Sequence, residues 1–87
     1  MDKKNLEKTG DPLHAAITLV LRLIQEEVQI TDTAIAQKID VKVQSLRRWM
    51  NDERPMPATA FLKIAEALGV DPNEVVRRAR QRLSEQV

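Results

Sequence analysis

The chain has no cysteine, no tyrosine, one tryptophan, one phenylalanine, one histidine and two glycines in 87 residues. Each scarcity removes a class of protein. Without cysteine there is neither a disulfide staple nor a thiolate metal site, a usage that fits a reducing compartment. The single histidine, His14, lies among apolar neighbours and reads as a surface or packing residue; one imidazole makes no zinc cluster and no catalytic dyad. Gly10 and Gly69 stand at helix ends, not in a phosphate-cradling loop. Acids such as Glu26 and Glu27 are neighbours on a solvated face, with nothing to mark them as a catalytic pair. The expectation is no enzyme, no cofactor and no metal. Long apolar runs are missing too: Ala15 to Ile24 is interrupted by Thr18 and Arg22 and is too short to span a bilayer. Met1 to Gly10 is polar and carries no secretory signal, so a cytoplasmic location without membrane contact is expected.

What is present is one small domain's worth of aliphatic residues. A chain of this size buries roughly 60–65% of its unfolded surface, enough for one core. The formal net charge of +1 divides unevenly. Residues 1–40 carry five basic and seven acidic groups, a balance of −2, and residues 41–87 carry nine basic and six acidic, a balance of +3. Positive charge therefore gathers in the second half, a modest sign of an anionic partner.

Residues 1–10, rich in lysine and ending in glycine, are expected to be a flexible N-terminal arm, with a single domain over 11–87. Asp11 and Pro12 open a first helix as N-cap and first helical residue. Leu13, Ile17, Val20, Leu21, Ile24 and Val28 form its apolar stripe, and Leu19 and Leu23 widen it. Such a broad face needs cover on more than one side, either from the other helices or from a dimer seam at Leu19 and Leu23. Pro57 begins a fourth helix, in which Phe61, Ile64, Ala65 and Leu68 face the core and Gly69 supplies the C-terminal turn. Asp71, Pro72 and Glu74 start a fifth as N-cap, first residue and capping-box acid. Its stripe of Val75, Val76, Ala79 and Leu83 offers a second candidate seam, at Val76 and Leu83, and its arginines lie outside that stripe.

The stretch from Thr31 to Asn51 organises the rest. Thr31 is an N-cap, and Ile35 and Ile39 share one face of a short helix. Val41 fills a corner after Asp40, and Leu46 and Trp49 share a face of a second short helix over 43–50. The outer face of that second helix carries Gln44, Arg47, Arg48 and Asn51. Two short helices at an angle, the second with a polar donor face, meet the specification of a DNA-reading helix-turn-helix.

These residues resemble the Cro/cI-type (XRE-like) helix-turn-helix family. The likeness rests on Ile35-Ala36, Ile39, Val41, Leu46, Arg48-Trp49 and Asn51, and it continues through Pro57, Phe61-Leu62, Ile64-Ala65 and Leu68-Gly69-Val70. It departs at Asp40 and Asp52, where the family usually has glycine, at Met50, where it usually has glutamate, and at Asp32, where it often has a phosphate-binding glutamine. Asp is among the few residues that tolerate left-handed backbone, so the corner at Asp40 survives. An acid at Asp32 repels phosphate, and that contact is not carried over.

The resemblance implies an all-α, five-helix, lambda-repressor-like DNA-binding domain whose helices 2 and 3 form the motif. It implies a sequence-specific transcriptional regulator, repressing or activating at a promoter of bacterial, phage or plasmid origin. Val43, Gln44, Arg47 and Arg48 are the candidate base contacts: Gln44 for adenine, either arginine for guanine, Val43 for a thymine methyl. Lys42, with Thr31 and Thr33 at the start of helix 2, is a candidate phosphate contact. Asn51 and Arg54 join them if the loop after helix 3 rides along the backbone as in similar proteins. One reading helix covers few base pairs, so a homodimer on double-stranded DNA is expected. The alternative is a protein-interaction module, an adaptor or antitoxin-like partner-binding protein. The wide face of helix 1, the acidic first half and Asp32 speak for it.

Overall fold

The computed structural model describes residues 8–85, and among them the chain forms five helices and no strand. They are α1 (Pro12–Val28), α2 (Asp32–Ile39), α3 (Val43–Met50), α4 (Ala58–Leu68) and α5 (Pro72–Glu85). Residues 1–7 of the expected arm lie outside this range. The next two are tied down: Thr9 N–H donates to Asp52 O at 2.8 Å, and Lys8 Nζ donates to Asn51 O at 2.7 Å.

Local chemistry sets most boundaries. Asp11 accepts from the Leu13 and His14 amides and caps α1, whose first residue is Pro12. Thr31 accepts from Ala34 N at 3.1 Å and caps α2. Gly69, at φ 74, ends α4 in the left-handed conformation that glycine adopts without steric cost. Among the described residues three with side chains share that conformation: Gln29 at φ 58, Asp40 at φ 61 and Asp52 at φ 62. Two details differ from expectation. Pro57 caps α4 from outside instead of starting it, because its ψ of 146 is extended. Glu74 does not close a capping box, because Arg77 and Arg78, three and four residues on, take its carboxylate at 2.7–2.8 Å.

α1 is the floor of the molecule, packing against α3, α4 and α5, while α2 lies on α3 and α4. Leu21, Ile35, Leu46, Met50, Ile64 and Val75 are enclosed almost completely. Each such side chain contributes about 1.5–3 kcal/mol relative to an exposed one. Phe61, Trp49 and Leu83 pack on this cluster while only partly buried. Leu19, Leu23, Val28 and Leu62 stay exposed, so part of the broad α1 face is left uncovered by the other described residues.

Candidate nucleic-acid interface

α3 owes its pose to the turn before it. Asp40 swings the chain out of α2 in left-handed geometry, and Val41 N–H donates back to Ala36 O at 3.0 Å. Lys42 then begins α3 with no side-chain cap. The inward face is Leu46 and Met50, one turn apart. Sequence spacing pairs Leu46 with Trp49 instead, yet Trp49 is only half-buried and Met50 is 2% exposed. An eight-residue helix has two turns, too few for period alone to separate a spacing of three from one of four.

The outward face carries Gln44, Arg47 and Arg48, all exposed, with Lys42 exposed and Val43 half-exposed at the start. Asn51 follows directly, also exposed. Thr31 and Thr33 are exposed at the start of α2, and the Thr31 hydroxyl oxygen is already engaged as the cap. Arg54 is exposed in the segment after α3, its amide bonded to Arg48 O at 3.2 Å. Gln44, Arg48, Lys42 and Arg54 make no side-chain hydrogen bond among the described residues. Gln44, Arg47 and Arg48 therefore share one solvent-facing strip, while Val43 packs partly against the core.

Two side chains of this set are held. Asp32 Oδ2 accepts from Arg47 Nε at 3.2 Å, and its Oδ1 accepts from Arg22 Nη1 at 2.7 Å and Gln25 Nε2 at 2.8 Å. Arg22 Nη2 in turn donates to Asn51 Oδ1 at 2.8 Å, and the Asn51 side-chain nitrogen makes no hydrogen bond among the described residues. Burial pushes the Asp32 carboxyl up, but the hydrogen bonds from Gln25 and Arg22, with the Arg22 charge, outweigh it and the net shift is downward. The stability this carries is complete above the ordinary carboxylate value near 3.8 and is lost as pH falls through the lowered folded value.

The far end of α3 is anchored by a residue that spacing alone did not single out. Met56 N–H donates to His14 Nε2 at 2.9 Å, so that nitrogen carries no proton, and Nδ1–H donates to Asp52 Oδ1 at 2.5 Å. Thr9 Oγ1 donates to the same carboxylate oxygen at 2.6 Å. His14 is a largely buried packing residue that also clamps the segment after α3 onto α1. Arg22 was equally hidden, its one signal being a charge set inside the apolar run of α1.

A helix-turn-helix family model matches residues 21–75, more than half of the chain. The chain belongs to the Cro/cI-type (XRE-like) helix-turn-helix family. It is a family of DNA-binding regulators, and its all-α fold is the fold seen here. The matched span opens at Leu21 and closes at Val75, both fully enclosed in the core, so it takes in α2, α3 and α4 whole. His14 and most of α5 lie beyond it. No curated protein and no solved structure matches the chain. Among the described residues there is no group of side chains fit to hold a metal ion, and no helix is long and apolar enough to cross a membrane.

Proposed function

We propose that the protein binds double-stranded DNA sequence-specifically and regulates transcription by occupying a promoter, with α3 in the major groove. The observation that carries this reading is the strip of Gln44, Arg47 and Arg48, open to solvent on a helix braced from behind by Leu46 and Met50. Gln44 bonds an adenine edge, Arg47 or Arg48 a guanine edge, and Val43 packs on a thymine methyl. Each good bidentate contact supplies about 1–3 kcal/mol of discrimination. Lys42, Thr31, Thr33, Asn51 and Arg54 hold phosphates and fix the register. Asp32, already satisfied by three donors, takes no phosphate.

Two copies on half-sites about 34 Å apart give the affinity one helix cannot. Between the two expected seams, exposure favours α1: Leu19 and Leu23 stand open, whereas Val76 and Leu83 are half-buried against their own chain. A groove beside Leu23 is lined by Glu26 and Glu27 from α1 and by Arg82 and Glu85 from α5, with Arg78 beside them already paired to Glu74. The same open leucines support the second reading, a surface for another protein partner.

Selection from a random DNA pool, followed by binding at several salt concentrations, tests the main reading. A defined motif is expected, with log affinity falling linearly in log salt as several counterions are released. Gln44→Ala loses preference at one position, and Arg54→Ala weakens all sequences alike. A pool that returns no motif refutes specific regulation. Sedimentation of Leu23→Glu separates the rest: loss of a dimer supports the α1 seam, and loss of a stoichiometric protein partner supports the second reading.

A further inference from the structure

The carboxylate at the start of α2 restrains Arg47 in a way that DNA binding as such does not require. Asp32 is 18% exposed and is held on its Oδ1 side by two α1 donors, Arg22 and Gln25. It therefore cannot follow a swinging guanidinium; the guanidinium has to come to it. Arg47, 53% exposed, does so with Nε alone. A bond to Nε uses the side of the guanidinium and leaves Nη1 and Nη2 as an end-on fork. That fork matches the O6 and N7 acceptors of guanine in the major groove. Arg48, exposed beside it, has no such guide among the described residues.

We infer that Asp32 is a positioning residue for sequence reading: clamped by Arg22 and Gln25, it sets Arg47 so that its Nη1/Nη2 edge meets a guanine, and leaves Arg48 to a phosphate. This rests on the DNA reading proposed above and assigns the two arginines that reading leaves interchangeable. It has a signature opposite to that of a structural residue. Asp32 places a negative charge near the phosphates, so removing it strengthens binding to unselected DNA while it blurs the guanine preference.

The test uses the full chain with a selected duplex, its single-base-pair variants and a random duplex, over a range of salt. Arg47→Ala marks the base pair that Arg47 reads. Asp32→Ala is expected to lose discrimination about tenfold at that same base pair, to bind random DNA more tightly, and to steepen the salt slope by about one as Arg47 turns to a phosphate. The double variant is expected to discriminate no worse than Arg47→Ala alone. Gln25→Ala, which loosens the carboxylate without changing charge, is expected to blur the same base pair at an unchanged salt slope, and it carries the test if Asp32→Ala does not fold. Uniform weakening on all duplexes, or loss at a base pair that Arg47→Ala leaves alone, overturns the inference. Full discrimination in both variants, on a wild-type protein that selects a motif, overturns it alone. A wild type with no motif overturns the DNA reading as well.

Discussion

At its C-terminal end α3 is tied to α1 through His14 and Arg22 and to the segment before α1 through the Thr9–Asp52 pair, whereas its N-terminal end, beginning after Lys42, has no side-chain cap. The tied end also receives Lys8 on the Asn51 carbonyl, a cation at the negative end of the helix dipole. The open end presents free backbone amides and the exposed side chains of Lys42 and Gln44. Stability is therefore concentrated behind and beyond the helix, and its leading end stays available to an anion. Held at both ends, α3 would be better fixed but less accessible.

The comparison breaks first at the buried side of the tied end. Met50→Ala removes an enclosed side chain and is expected to cost about 2–5 kcal/mol in urea unfolding. His14→Ala comes next, at about 1–3 kcal/mol, because it strands the Met56 amide and half of the Asp52 interactions. Its effect is expected to be markedly non-additive with Asp52→Ala in a double-mutant cycle.

The two left-handed aspartates give a sharper contrast, since they share a φ near 60° and differ in partners. Asp52→Gly frees the backbone but loses the bonds from Thr9 and His14, and a net loss of about 1–2 kcal/mol is expected. Asp40, exposed and with no side-chain hydrogen bond among the described residues, is expected to change by less than about 1 kcal/mol on Asp40→Gly. Smallest of all, Lys42→Ser supplies the missing cap and is expected to raise stability by about 0.5–1 kcal/mol in the same assay while weakening DNA binding.

The same contrast separates what was legible in the sequence from what was not. Asp11-Pro12, Thr31, Gly69 and Asp71-Pro72 announce their helix ends because capping acts within four residues of chain. The outward strip on α3 was equally readable, since exposure on a helix follows from the apolar positions opposite. The clamps were not. Arg22 reaches a partner 29 residues away and His14 one 42 residues away, and no local spacing encodes such pairs. Met50 stood out only as a departure from the resemblance, and in the structure its side chain is buried and seals the end of α3 by packing. Glu74 was open to a better reading, because arginines three and four residues downstream compete directly with a capping role.

Amide chemical shifts of the labelled protein, followed during titration with a duplex carrying the selected motif, test the central claim most directly. The proposed interface requires the largest changes over Val43 to Asn51 and at Thr31 and Thr33, with α5 nearly silent. Changes centred on α5 or on the exposed leucines of α1, with Gln44 and Arg47 unmoved, would contradict it.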